Sequence, residues 1–168
     1  QEFMQLNFFV NENVLIPRPE TEELVEWIIE SQKSKVQSQK LEILDIGTGT
    51  GCIPISLKTN LLQANVSAID VSEKALEVAK RNAQSNKVEV NFIQTNILEV
   101  EDLNQHFDII VSNPPYVRNL EKQEIKKNVL DYEPHLALFV EDTDALLFYR
   151  KIAQLALENL SPNGLLFF

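Results

Sequence analysis

Glycine is scarce in this chain, four residues in 168, and three of the four fall within five positions, at Gly47, Gly49 and Gly51. Sulfur is scarcer still, with one cysteine, Cys52, and one methionine, Met4. A lone cysteine allows no internal disulfide, which excludes a disulfide scaffold and fits a reducing cytosol. Basic residues number 15 against 25 acidic ones, a net charge of −10 that disfavours a broad nucleic-acid-binding surface. No apolar run approaches the ~18 residues that cross a membrane, and the first residues do not read as a signal peptide. His106 and His135 stand too far apart, with too little company, to suggest a metal site. What is present is an apolar fraction of 44% and a charged fraction of 24%, the composition of one ordinary globular domain. The chain opens on Gln1 and stops on the apolar run Leu165-Leu166-Phe167-Phe168, so it reads as a piece of a longer protein.

Aromatic and branched residues from Phe3 to Ile16, broken at Asn11-Glu12-Asn13, predict a hairpin, with Met4 inside a strand. Pro17-Arg18-Pro19 followed by Glu20-Thr21-Glu22-Glu23 marks a helix start, and Leu24, Val25, Ile28 and Ile29 give that helix an apolar stripe through Ser31. Trp27, at helical spacing, is expected to pack. Gln32 to Lys40 reads as a surface linker. Leu41 to Ile46 is a short apolar run ending in glycines, a buried parallel strand. A short helix should follow from about Cys52 to Thr59, with Pro54 tolerable in its first turn. Val66–Asp70 predicts a second strand, and Ser72 can cap a helix from Glu73 to about Gln84. The alternation of Val88, Val90 and Phe92 suggests a third strand, Phe107–Val111 a fourth, and Ala145–Asn159 a long amphipathic helix that turns through Pro162-Asn163-Gly164 into a fifth. Strands alternating with helices mean an α/β fold with a mostly parallel sheet, and ligands then bind at the carboxyl ends of the strands.

Three sites stand out. Asp45-Ile46-Gly47-Thr48-Gly49-Thr50-Gly51 lies where a strand ends and a helix begins, and its glycines let a backbone approach a ligand closely. No Lys follows Gly51, so this is not an NTPase phosphate loop, and Cys52 stands where a dinucleotide fingerprint wants Gly or Ala. A carboxylate at Asp45 beside such a loop suits a cationic ligand. Asp70 ends the second strand, where doubly wound folds place an acid to accept from ribose hydroxyls. Asn113-Pro114-Pro115-Tyr116 follows the fourth strand. Its prolines lack N–H groups and leave carbonyls free to accept, Asn113 offers both an acceptor and a donor, and Tyr116 a flat face. Together they suit a planar amino group.

These three segments resemble the Rossmann-like, S-adenosyl-L-methionine-dependent methyltransferases that act on planar amino groups. Val14-Leu15-Ile16-Pro17-Arg18-Pro19-Glu20-Thr21-Glu22 narrows the resemblance to the HemK/PrmC family, the peptide chain release factor N5-glutamine methyltransferases. Tyr132-Glu133-Pro134, Ala137-Leu138-Phe139 and Tyr149-Arg150 are similar to that family too. The resemblance implies a class I methyltransferase sheet with helices on both faces, preceded by a short β-hairpin and truncated before its last two strands. It implies residues 1–31 leading into a methyltransferase domain over 41–168. It implies that Asp45, Gly47, Thr48, Gly49, Thr50 and Gly51 hold the methionine part of S-adenosyl-L-methionine, Asp70 the ribose, and Asn96 and Ile97 the adenine. Asn113 would touch both cofactor and substrate, and Asn113, Pro114, Pro115 and Tyr116 would hold the reacting side chain. The expected reaction moves a methyl group to the side-chain amide of the Gln in the Gly-Gly-Gln motif of class 1 release factors, in the cytoplasm, with no metal and no membrane. The rival expectations are an adenine-N6 or guanine-N2 nucleic-acid methyltransferase of the same fold, and a non-catalytic module that binds S-adenosyl-L-methionine.

Overall fold

A computed structural model describes residues 1–34, 40–114 and 146–168, and the backbone of two short strands at 117–118 and 139–140. Five parallel strands form the central sheet: β3 (Glu42–Ile46), β4 (Asn65–Asp70), β5 (Asn91–Gln94), β6 (Phe107–Ser112) and β9 (Leu160–Phe167), in the spatial order β5-β4-β3-β6-β9. The chain steps outward from β3 through β4 to β5, then crosses back to β6 on the other side of β3. The carboxyl ends of β3 and β6 therefore flank the point where the strand order reverses, which is where open α/β sheets bind ligands. Ile43, Leu44, Ile109, Ile110 and Val111 are all at most 2% exposed, as expected of strands covered on both faces.

Four helices cover the sheet: α1 (Pro19–Lys33), α2 (Cys52–Asn60), α3 (Glu73–Ser85) and α4 (Leu147–Asn159). Proline opens α1, with Glu20 and Glu22 in the first turn, and the helix buries Thr21, Leu24, Val25, Ile28 and Gln32. The Ser72 hydroxyl accepts from the Ala75 N–H at 3.2 Å and caps α3, whose inner face is Ala75, Leu76, Val78, Ala79, Asn82 and Ala83. Pro54 falls in the first turn of α2, where its missing N–H costs no helical bond. One apolar cluster joins Phe3, Phe8, Val25 and Ile28 to Ile43, Ile55, Leu57 and Ile109, so the first segment shares its core with the sheet. A second joins Leu44, Ile46, Ile69 and Ile97 to Ile110, Ile152 and Leu155 on the opposite face.

Four sequence expectations are corrected. The hairpin is shorter and earlier: β1 (Glu2–Phe3) pairs with β2 (Leu6–Asn7), and Met4 lies in the turn rather than in a strand. Met4 and Gln5 both have positive φ, 50° and 61°, as a two-residue hairpin turn requires. The third strand begins at Asn91, not Val88. The Val88 N–H still bonds the Ala83 carbonyl at 3.1 Å, and Lys87 sits at φ 57°, so the chain there is finishing α3. Trp27 does not pack; it is 72% exposed, one position off the buried stripe of α1. The long helix begins at Leu147, two residues after its expected start. Pro162-Asn163-Gly164 turns as expected but lies within β9, as an irregularity between the pairs Phe107–Leu160 and Ile109–Leu165. The backbone of β7 (Val117–Arg118) pairs in parallel with that of β8 (Phe139–Val140).

Candidate active site

The end of β3 and the start of α2 are joined by the glycine loop. Gly47, Gly49 and Gly51 have φ of 75°, 53° and 78°, a region that side-chain-bearing residues rarely adopt. Their surroundings differ. A Cβ on Gly47 or Gly49 would meet nothing within 4 Å, so the loop presents bare backbone to open space. A Cβ on Gly51 would lie 3.1 Å from both Ala79 and Ile55, so Gly51 is also needed for helix packing. The Gly47 and Thr48 N–H groups donate to the Ile69 carbonyl at 2.9 and 3.1 Å, which ties the loop to β4. Cys52 is a small buried residue behind the loop, and burial pushes its thiol up to about 12.

Asp70, at the end of β4, is partly exposed. Its Oδ2 accepts from the Gly49 N–H and its Oδ1 from the Ser72 N–H, both at 2.9 Å. Asp45, two residues before Gly47, is completely buried, and neither carboxylate oxygen has a hydrogen-bond partner. Burial is the main reason its pKa is pushed up to about 7; the Thr48 hydroxyl opposes the shift, though it falls short of hydrogen-bond geometry, and the Asp70 charge adds to it. Thr48 Oγ1 is likewise buried without a partner. Asn96 follows β5, where its Oδ1 accepts from the Leu98 N–H at 3.1 Å and caps a short 3₁₀ turn at Ile97–Glu99. Ile97 is buried in the second apolar cluster.

Asn113 and Pro114 leave the end of β6. Asn113 is half-buried, Pro114 buried, and the Asn113 Nδ2 donates to Thr21 Oγ1 at 3.3 Å. The proline-rich entry to α1 is thereby joined to the segment after β6. Pro115 and Tyr116 lie outside the described residues. Two further side chains shape this region and were not singled out from sequence. Ser112, 1% exposed, donates from Oγ to the Ile46 carbonyl at 2.6 Å and fastens the ends of β6 and β3 together. Asn82, also 1% exposed, accepts from the Phe9 N–H at 2.7 Å and donates to the carbonyls of Phe9 at 3.0 Å and Thr50 at 2.9 Å. A polar residue on the otherwise apolar inner face of α3 was the available signal for it.

The described residues thus gather Asp45, the glycine loop, Asp70, Asn96 and Asn113 at the carboxyl edge of the sheet. Bare glycine backbone facing open space, two orphaned oxygens of a buried acid and an orphaned threonine hydroxyl fit a polar, cationic group, and the Asp70 carboxylate fits a ribose. S-adenosyl-L-methionine carries both.

The order β5-β4-β3-β6-β9, with its glycine loop at the reversal point, defines a class I methyltransferase sheet. The methyltransferase small domain matches residues 26–135, and the chain belongs to that family. Among curated proteins, the release factor glutamine methyltransferase of Flavobacterium psychrophilum is 68% identical over 167 residues, covering 99% of this chain and 59% of that protein. The one from Bacteroides thetaiotaomicron is 49% identical over 168 residues, again covering 99% and 59%. The chain therefore spans somewhat over half the length of these relatives. Among solved structures, the hMettl16 catalytic domain in complex with an RNA hairpin has a TM-score of 0.67 at 19% identity, covering 94% of this chain and 59% of that one. TrmN from Thermus thermophilus has a TM-score of 0.59 at 19% identity, covering 84% and 36%. Both share the fold. Among the described residues no helix is long and apolar enough to cross a membrane, and no cluster of metal-binding side chains occurs.

Proposed function

We propose that this chain is the catalytic part of a protein that methylates the side-chain amide of the Gln in the Gly-Gly-Gln motif of class 1 peptide chain release factors, in the cytoplasm. In this reading residues 1–31 lead into a methyltransferase domain over 41–168. The observation that carries it is the position of Asn113 and Pro114 at the end of β6, beside the strand that ends in the glycine loop. The 68% identity to a release factor glutamine methyltransferase supports the choice of substrate.

Asp45, Gly47, Thr48, Gly49, Thr50 and Gly51 would hold the methionine end of S-adenosyl-L-methionine, Asp70 its ribose, and Asn96 and Ile97 its adenine. When bound, this cofactor supplies an electrophilic methyl group on a sulfonium. The remaining work belongs to Asn113, Pro114, Pro115 and Tyr116. An amide nitrogen is a poor nucleophile because its lone pair is delocalised into the carbonyl. The Asn113 Oδ1 and the Pro114 carbonyl would accept the two N–H bonds of the substrate amide. Two acceptors in fixed places orient the nitrogen and stabilise positive charge as it develops there, and one of the two amide protons departs to solvent once the nitrogen carries the methyl group. Proline suits this position because it contributes an acceptor and no competing N–H. The Tyr116 ring would cover the flat face of the amide. The hydrogen bond from Ser112 to Ile46 keeps this acceptor pair in register with the glycine loop.

The test is mass spectrometry of a release factor incubated with the full-length protein and S-adenosyl-L-methionine. A gain of one methyl group on the Gly-Gly-Gln glutamine, lost when that Gln is replaced by Ala, is the expected outcome. Duplex DNA or RNA as the better acceptor would overturn it and favour a nucleic-acid methyltransferase. A steep fall in nucleic-acid binding with salt would mark that alternative.

A further inference from the structure

We infer that Thr21 is a positioning residue for the transfer reaction, acting through Asn113; this rests on the release factor reading above. Thr21 is 6% exposed, in the first turn of α1, and its N–H bonds the Arg18 carbonyl at 3.0 Å. Its hydroxyl oxygen takes the Asn113 Nδ2 at 3.3 Å. A side-chain amide has two chemically opposite ends, one donating and one accepting, and the reaction needs the accepting end. Placing the nitrogen on Thr21 turns the Asn113 Oδ1 away from α1 and leaves it to accept from the substrate. Without the Thr21 oxygen, the Asn113 amide loses this anchor and is free to leave the position in which its Oδ1 accepts.

Valine preserves the shape of threonine and removes the oxygen, alanine removes the oxygen with less bulk, and serine keeps it.

The experiment uses the full-length protein with Thr21→Val, Thr21→Ala and Thr21→Ser. Turnover of a release factor carrying Gly-Gly-Gln and calorimetric binding of S-adenosylhomocysteine are measured for each. Loss of the hydrogen bond should lower kcat by roughly 10-fold in the Val and Ala variants, with a much smaller change in cofactor affinity. Thr21→Ser, which keeps the oxygen, should recover most of the loss. In an Asn113→Ala background, Thr21→Val should cause no further loss, because the two residues act as one unit. Wild-type kcat in both oxygen-lacking variants, or a full additional loss in the double variant, overturns the role of Thr21. A wild-type protein that does not methylate the Gly-Gly-Gln glutamine overturns the underlying reading instead, and the two failures are distinguishable.

Discussion

The Gly49 N–H donates to the Asp70 Oδ2 at 2.9 Å, so the glycine loop after β3 and the acid at the end of β4 form one unit. The other oxygen of Asp70 holds the Ser72 N–H at the same distance, which links the unit to the start of α3. An ionised carboxylate accepting from two backbone N–H groups is a strong local brace. Asp70 thus shapes the glycine loop, and in the proposed reading it also presents a carboxylate for ribose.

Replacing Asp70 should therefore weaken S-adenosyl-L-methionine binding by two routes. Hydrogen bonds to charged groups contribute about 1.5–3 kcal/mol each, so Asp70→Ala should lower affinity on the order of 10- to 100-fold. Asp70→Asn retains only one acceptor oxygen and should fall between. Calorimetric titration of the three proteins checks the order. Equal affinities would show that neither the brace nor the carboxylate contributes.

Asp45 should make stability depend on pH. Its pKa rises from an ordinary 3.8 to about 7 in the folded chain, chiefly through burial. Between those values the folded state holds a proton that the unfolded state has released. Stability from this group is therefore fully present below about pH 4 and is lost as pH rises through 7. The loss should be on the order of 4 kcal/mol at most, and Asp45→Asn should abolish it. Denaturant melts of both proteins at pH 5 and pH 8 measure the difference. A gap between them that does not change with pH would show that Asp45 is ionised throughout. A cation bound beside Asp45 favours the ionised form, so S-adenosyl-L-methionine should release a proton on binding near pH 7, and S-adenosylhomocysteine less.

Much of this architecture was legible in the chain. Glycines after an apolar run, an acid at the end of the next strand and Asn-Pro after the fourth point to a candidate site at the carboxyl edge of the sheet. Ser72 announced the α3 cap, and Pro19 with its acids announced α1. What escaped notice depended on tertiary contacts. Met4-Gln5 is a two-residue turn without the Asn or Gly that usually marks one, so the hairpin gave no local signal. Val88 and Val90 alternate like a strand, yet the Val88 N–H is taken by α3. Thr21 lies in a motif that resemblance singled out, but its partner, 92 residues further on, follows only from the fold. Pro115 and Tyr116 were read from sequence and lie outside the described residues.

The three loop glycines should differ in their tolerance of alanine. Gly47→Ala places a Cβ in open space and incurs only the left-handed backbone penalty, about 1–2 kcal/mol. Gly51→Ala incurs that penalty and also drives a methyl group to 3.1 Å from Ala79 and Ile55. Overpacking of this kind adds about 1–3 kcal/mol. Chemical denaturation should rank Gly51→Ala well below Gly47→Ala in stability. Cofactor binding should show the opposite balance among folded variants, because Gly47 is the one facing open space. Equal destabilisation by both would mean that α2 and α3 can separate without cost.

Asn82 should prove one of the most sensitive polar positions in the chain. It is buried on α3 and satisfies three backbone groups at once, two on Phe9 and one on Thr50. The Arg81 guanidinium lies 3.7 Å from the centroid of the Phe9 ring, so α3 grips the same residue from two sides. Asn82→Ala removes the partner of the Phe9 N–H and of two carbonyls, of which the bond to Thr50 is fully buried. Each lost partner costs about 1–3 kcal/mol when the orphan stays buried, so a total of several kcal/mol is expected unless Phe9 swings out to solvent. That escape has its own signature. Release of Phe9 would expose its amide to exchange while the amides of β3 and β6 stay protected. Asn82→Asp keeps the acceptor for the Phe9 N–H but sets a carboxylate against two carbonyls, and should be no better than Ala. Because Thr50 belongs to the glycine loop, both variants should also weaken S-adenosyl-L-methionine binding, whereas Arg81→Ala should affect stability modestly and cofactor binding not at all. Hydrogen exchange and calorimetry on the three variants separate these effects. An Asn82→Ala protein with wild-type stability and cofactor affinity would show that the N-terminal segment and the cofactor loop are held by their apolar contacts alone.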